Sequence, residues 1–340
     1  MFSIGPYLIE TPAALAPMAG ITDKPFRQLA RRFGAGYAVS EMLNSAPSLR
    51  HTKKSLHRSD FSGEDGVRAV QIVGSDPQRM AEAARYNAEQ GAQIIDINMG
   101  CPAKKVCNVL SGSALLQNEK LVGDILTAVV AAAGVPVTLK TRLGFCENNK
   151  NIRTIAKMAE QAGIAALAVH GRTREQMYKG DASYELIAQV RQDISIPLWV
   201  NGDITSAEKA AAVLRQTGAD GVMVGRGAQG RPWLFAEIKH FLQHGTPPSP
   251  IAFQTAADAF LQHLRAMYAF YGDTAGARIA RKHIGWYTAP FADGAALRKQ
   301  ANALDSADAQ YDAVAAFLAA APERQSGLWP SETAASANKI

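Results

Sequence analysis

No stretch of eighteen consecutive apolar residues occurs in this 340-residue chain, which leaves no candidate for a membrane-spanning helix and no expected membrane partner. The opening segment, Met1-Phe2-Ser3-Ile4-Gly5-Pro6, lacks the basic region and apolar core of a secretory signal. Cysteine is scarce. Cys101, Cys107 and Cys146 show no Cys-x-x-Cys spacing, so neither a metal site nor a disulfide framework is expected, and a reducing cytoplasm is. Charge is modest, with 19% charged and 47% hydrophobic residues, an ordinary balance for a globular protein. The net charge of +6 lies wholly before residue 245, because the remainder holds eight Lys+Arg against eight Asp+Glu. Such an excess is weak evidence for a polyanionic partner; its placement says more. Arg50, Lys53, Lys54 and Arg58 cluster with His51 and His57, Lys104 and Lys105 follow Cys101, and Arg172, Arg174 and Lys179 follow another apolar run. Each cluster alone reads as solvated surface; three at strand ends point to a phosphate-rich ligand.

What is present is a repeat of strand and helix. Strand-like runs occur at Ala14–Met18, Tyr37–Met42, Ala69–Val73, Gln93–Asn98, Val137–Thr141, Leu167–His170, Leu198–Asn201 and Gly221–Val224. Several are apolar with little alternation, as strands buried on both faces require. Helical periodicity fills the intervals at Pro25–Arg32, Pro77–Gln90, Ala114–Ala133, Ile152–Gln161, Tyr184–Gln192 and Ala207–Gln216. Eight such units in residues 1–244 predict an α/β fold, a (β/α)₈ TIM barrel. Gly245 to Pro250 reads as a stiff linker, and 251–321 as a small all-helical domain with no strand signal. Residues 322–340 are polar and are expected to be disordered.

A barrel of this kind carries its chemistry at the C-terminal strand ends. Those ends present Ala16 to Gly20, Gln71, Asn98 and Cys101, Lys140 and Arg142, His170-Gly171-Arg172, Asn201-Gly202-Asp203 and Gly225-Arg226-Gly227. The last two sets match the phosphate-binding end of such barrels, where glycines let backbone N–H groups approach oxygens and Arg226 adds a cation. Lys140 reads either as one half of an internal salt bridge with Asp96 or Glu41, or as a cation facing the pyrimidine side of a flavin. Free cysteines are mostly buried hydrophobes, but Cys101 lies on a Gly-Cys-Pro turn beside a basic stretch, which reads as reactive. The segment from Ala103 to Gly112 reads as a lid, and Cys107 and Cys146 as structural.

Four segments together, Ala16-Pro17-Met18-Ala19-Gly20-Ile21-Thr22-Asp23, Asp96 to Pro102, Val169 to Thr173 and Asn201 to Ile204, closely resemble the tRNA-dihydrouridine synthases. Lys282-His283 with Trp286-Tyr287 is similar to the bacterial B-type branch, and the resemblance spans about residues 4–320. It implies an FMN-bound barrel that uses NADPH or NADH to reduce a D-loop uridine of tRNA, at position 17 for this branch; separately, a monomer in the cytoplasm is expected, with no protein partner assigned. By the same resemblance Pro17, Met18, Ala19 and Gln71 line the flavin ring, and Lys140 and His170 meet its polar edge. Asn201, Gly202, Asp203, Gly225 and Arg226 hold ribityl and phosphate. Cys101 is the proton donor, on a loop that closes over a flipped base. Asn98 and Arg172 are candidates for the uracil edge. Arg278, Arg281 and Lys282 share a helix face by their spacing, either an exposed ridge or a phosphate-contacting one. Competing readings are an FMN dehydrogenase of free pyrimidines, an RNA-binding barrel without catalysis, and an aldolase with Lys140 as Schiff base.

Overall fold

A computed structural model describes residues 1–103 and 111–330. The chain divides into two compact units, residues 1–227 with 235–245, and residues 228–234 with those from Thr246 onward.

The first unit is a closed parallel barrel. After a short antiparallel hairpin, β1 (Phe2–Ile4) and β2 (Tyr7–Ile9), come β3 (Ala13–Leu15), β4 (Tyr37–Ala38), β5 (Leu43–Asn44), β6 (Ala69–Val73), β7 (Ile94–Met99), β8 (Val137–Arg142), β9 (Ala166–His170), β10 (Leu198–Asn201) and β11 (Gly221–Val224). The sheet order is β4-β3-β11-β10-β9-β8-β7-β6-β5, every pairing parallel. Closure comes from a second strand in two pieces. Val39 bridges Ala69 beyond β4, Ser40 N–H donates to Ala69 O, and β5 then pairs with β6. The single strand expected over Tyr37–Met42 is interrupted because Glu41 turns to accept from Gly20 N–H and Arg58.

Helices α1 (Lys24–Arg32), α2 (Lys53–Arg58), α3 (Pro77–Glu89), α4 (Glu119–Ala133), α5 (Ile152–Gln161), α6 (Glu185–Asp193), α7 (Ala207–Thr217) and α8 (Leu234–His244) occupy the intervals. Asp23 caps α1 by accepting from Phe26 N–H, with Pro25 in the first turn. The helix expected over Ala114–Ala133 is two pieces, a 3₁₀ turn at Gly112–Gln117 and α4, separated by Asn118, whose side chain caps α4 at Leu121 N–H.

The barrel floor is lined with small residues. Ala14, Ala16, Ala69, Ala166 and Ala168 are buried with Ile4, Ile9, Tyr37, Val39, Ile94, Trp199 and Met223. Trp199 stacks on Tyr37 at 6.0 Å and meets Phe2 edge-on at 4.9 Å, so the hairpin residues join the floor.

The second unit contains α9 (Phe253–Tyr271), α10 (Asp273–Thr288), α11 (Gly294–Ala303) and α12 (Ala307–Ala320). Phe260 stacks on Tyr287 at 4.2 Å, and His263 and His283 are buried edge-to-face at 4.8 Å. Two sequence expectations are corrected here. Residues 228–234, read from sequence as barrel, group with the helices, because Trp233 packs on Tyr287 and Trp329, and Gly230 lies so close to Trp286 that a Cβ would clash with its backbone. The tail read as disordered from 322 is ordered through Pro330. Pro322–Ser326 form a 3₁₀ turn, and Trp329 is only 7% exposed, held against Phe253 and Phe291 with its N–H on Ile251 O.

Candidate active site

Parallel register sets the site. Side chains alternate in and out along each strand, and the pairings Gln71 with Asp96, Asn98 with Lys140, Arg142 with His170, and His170 with Asn201 bring inward-facing polar residues side by side at the C-terminal ends. Four of the expected residues, Gln71, Asn98, His170 and Asn201, are buried there, and Lys140 is half-buried among them.

Below them sits Asp96, 2% exposed. Thr138 Oγ1 donates to one carboxylate oxygen at 2.6 Å and Gln71 Nε2 to the other at 2.7 Å. Burial pushes the carboxyl up to about 6, against the pull of these hydrogen bonds and of Lys140. Gln71 Oε1 accepts from Asn98 Nδ2 at 2.7 Å, and Asn98 Oδ1 accepts from Gly100 and Cys101 N–H at 3.1 and 2.9 Å. The Cys101 turn is held from its other side too. Its carbonyl takes Ser113 N–H and Oγ–H, and Gly100 O takes Arg142 Nε at 2.7 Å. Cys101 itself is half-buried. The lid expected over Ala103 to Gly112 falls mainly on residues 104–110, with Lys104, Lys105 and Cys107, outside the described residues.

Lys140 Nζ donates to Asn201 Oδ1 at 3.0 Å, not to a carboxylate, and Asn201 Nδ2 is fixed on Met223 O. Glu41, its other candidate partner, pairs with Arg58. Burial, then Arg142, lower Lys140 to about 8, with Asp96 and Cys101 acting in the opposite direction. His170 is held well below its ordinary value by burial and by Arg142, Lys140, Arg172 and Arg226, so it is neutral near pH 7. Arg172 can only donate, so its 3.3 Å contact with His170 Nε2 makes that nitrogen the acceptor.

Two expected residues sit differently from the reading of the sequence. Arg172 is 2% exposed and pairs bidentately with Asp203 at 2.9 and 2.6 Å, while Nε and Nη2 also reach Lys179 O and Gly180 O. All three of its nitrogens are thus engaged within the protein. Asp203, at φ 49°, also accepts from Ala182 N–H and Arg226. Burial would raise this carboxyl, but the Arg172 hydrogen bonds and the other donors outweigh it and hold it low. Arg226 stays 54% exposed, a cation of this corner open to an incoming anion.

Apolar and small groups complete the mouth. Pro17 and Met18 are half-buried and Ala19 exposed, on a turn held by Thr22, whose hydroxyl accepts from Met18 N–H and donates to Ala16 O. Gly202, at φ 123°, lies where a Cβ would be 2.7 Å from Ala182 Cβ and 3.0 Å from the His170 ring. Gly225 opens onto Met18 and Ala16 with no tighter neighbour than 3.5 Å. Tyr178, 53% exposed, has the Arg142 and Arg226 guanidiniums over its ring at 5.6 and 4.9 Å. An apolar lip, a ring of fixed amides and a cationic corner suit a planar heterocycle carrying a phosphate. Sequence reasoning missed Thr22 and Tyr178 as site residues and weighed Glu41 and Asp96 only as partners for Lys140; for Asp96, its strand position was the signal that could have pointed to more.

The expected ridge belongs to the helical unit. On α10, Arg278 is exposed and Lys282 half-buried, but Arg281 is tied to Asp305 at 3.0 Å and Leu304 O. Of the cations at Arg50 to Arg58, Arg58 is tied to Glu41, Arg50 is over Tyr86, and Lys53 and Lys54 are exposed.

Residues 14–322 match the dihydrouridine synthase family. A tRNA-dihydrouridine synthase B of Xanthomonas axonopodis pv. citri is 57% identical over 309 residues, covering 90% of this chain and 92% of the relative. That of Vibrio cholerae is 54% identical over 315 residues, covering 93% and 98%, and that of Pseudomonas aeruginosa 55% over 324, covering 95% and 96%. Among solved structures, an old yellow enzyme homologue from Zymomonas mobilis superposes with a TM-score of 0.52 at 15% identity, covering 74% of this chain and 93% of that one, a likeness of fold alone.

Proposed function

We infer the reaction from a premise those comparisons supply: this chain belongs to the dihydrouridine synthase family. It is a flavin-dependent oxidoreductase that reduces uridine in tRNA to 5,6-dihydrouridine. The observation that carries the residue-level reading is Cys101, fixed on a strand-end turn next to a ring of buried amides and Lys140.

The strand ends would hold FMN, which, when bound and reduced by NADPH, would supply hydride for uracil C6. The protein's own part is the proton. Charge developing at C5 and the C4 carbonyl takes a proton from the Cys101 thiol to C5, so Cys101 must begin protonated. Lys140, held cationic below about pH 8, faces charge that forms near the turn and favours the thiolate left behind. Pro17, Met18 and Ala19 form the apolar contact for the ring, with Gln71, Lys140 and His170 at its polar edge. Asn201, Gly202, Gly225 and Arg226 hold the ribityl-phosphate side. Asp203 serves this end indirectly, orienting Arg226 and fixing Arg172. Arg172 takes the role of a structural clamp under His170 in place of a uracil contact. Asn98 presents the Cys101 turn and borders the place of the uracil. In the helical unit Arg278 and Lys282 contact tRNA phosphates, with Arg281 contributing less because Asp305 already neutralises it.

The test is direct. Purified protein, supplemented with FMN, is scanned for flavin absorbance, then given NADPH and unmodified tRNA, with uridine loss followed by nucleoside analysis. Uridine should disappear at D-loop position 17. Cys101→Ala should keep NADPH oxidation and slow single-turnover uridine reduction by about 10²–10⁴-fold, the usual range for loss of a general acid. Absence of bound flavin, or full single-turnover rate in Cys101→Ala, would overturn the reading.

A further inference from the structure

We propose that Asp96 is a positioning residue that sets the direction of a buried hydrogen-bond relay ending at the Cys101 turn. The links are Asp96 to Gln71, Gln71 to Asn98, and Asn98 to the Gly100 and Cys101 N–H groups, at 2.7, 2.7, 3.1 and 2.9 Å. Asp96, Gln71 and Asn98 are all buried, so water does not compete for these bonds. Each amide has a donor end and an acceptor end, and a chain of two amides can run either way. A carboxylate only accepts. It therefore fixes Gln71 with nitrogen down and oxygen up, which fixes Asn98 with nitrogen towards Gln71 and oxygen towards the turn. The reversed chain would set Asn98 Nδ2 against two backbone N–H donors and unseat the turn.

Asp96 touches none of the reacting atoms. Its effect reaches Cys101 through two amides, and its consequence for turnover rests on Cys101 being the proton donor. The same chain predicts that the relay can be reversed by moving the charge. In Asn98→Asp the new carboxylate still accepts from Gly100 and Cys101 N–H, but it confronts Gln71 Oε1, and Asp96 prevents Gln71 from turning round. Adding Asp96→Asn removes that block. Asn at 96 accepts from Thr138 and donates to Gln71 Oε1, and Gln71 Nε2 then donates to the carboxylate at 98. Every donor again meets an acceptor, at the native net charge.

The experiment measures alkylation of Cys101 by iodoacetamide from pH 6 to 10 in a Cys107→Ser, Cys146→Ser background. The plateau rate reports how ordered the turn is, and the midpoint reports nearby charge. Asn98→Asp should raise the plateau about tenfold, the factor expected for one buried hydrogen bond lost. Asp96→Asn with Asn98→Asp should bring the plateau back to within about twofold of the parent while the midpoint stays raised, since a carboxylate nearer the thiol disfavours the thiolate. A double variant no better ordered than Asn98→Asp, or one that fails to fold, overturns the relay. Should Asn98→Asp alone not fold, recovery of a folded double variant with the parent plateau is the supporting result. Restored alkylation without restored single-turnover uridine reduction would leave the relay standing and count against the proton-donor role of Cys101 instead.

Discussion

Asp96 carries a thermodynamic signature that can be worked out in advance. Its carboxyl stands at about 6 in the folded protein because burial outweighs the hydrogen bonds from Thr138 and Gln71. In the unfolded chain it titrates near its ordinary value of 3.8. Between those values the folded state holds a proton that the unfolded state has lost, so stability falls as pH rises, and the loss is complete once pH passes the folded value. From pH 4.5 to 7.5 the relevant interval is about 1.5 units, and at about 1.36 kcal/mol per unit this amounts to roughly 2 kcal/mol. Asp96→Asn is isosteric and does not titrate. The perturbation to measure is the wild-type unfolding free energy minus that of Asp96→Asn, by urea titration with circular dichroism at pH 4.5, 5.5, 6.5 and 7.5. Groups common to both proteins cancel. The difference should decline by about 2 kcal/mol across the series, with most of the change below pH 6.5. A flat difference, or one that grows with pH, would refute the assignment of a buried, destabilised carboxylate under the site.

Three further outcomes follow from the same contacts. Cofactor-free protein should bind FMN more weakly as pH rises through about 8, where Lys140 loses its proton, and Lys140→Met should bind weakly at all pH values without that step, as flavin fluorescence quenching would show. Arg172→Ala leaves the half-buried Asp203 with the Ala182 N–H and the longer contact to Arg226, and losing the bidentate pair should cost about 1–3 kcal/mol in urea unfolding, less than stranding a fully buried charge would. Arg278→Ala should weaken tRNA binding and lower the magnitude of the salt slope by about 1, whereas Arg281→Ala should change the slope less because Asp305 already shares its charge.

The barrel was legible because buried parallel strands are short apolar runs, and Leu198–Asn201 and Gly221–Val224 coincide with their expected bounds. The interruption at Ser40–Met42 was not, because an apolar run with one glutamate reads as a strand until Arg58 and the Gly20 N–H are known to claim that glutamate. The three-residue strands of the hairpin are too short for periodicity to register. At the site, position in the repeat was enough to collect Gln71, Asn98, Lys140, His170 and Asn201. The fate of Arg172 depends on Asp203, 31 residues away, and no local pattern announces that pairing. Asp96 reads as a polar residue in a largely apolar strand; only the register against Gln71 and Thr138 reveals what it accepts from. Trp329 shows the same limit at the chain's end. A polar composition predicted disorder, and one aromatic finding Phe253 and Phe291 reversed it.

The Trp199 floor has an optical consequence. Of the four tryptophans in the chain, Trp233, Trp286 and Trp329 belong to the helical unit, so Trp199 is the sole indole of the barrel. Buried beside Tyr37, it should emit at short wavelength and shift red only when the barrel opens. Replacing Trp199 with Phe and subtracting the spectra isolates that emission. The protein therefore carries an intrinsic, label-free fluorophore that reports the state of its catalytic unit separately from its helical one.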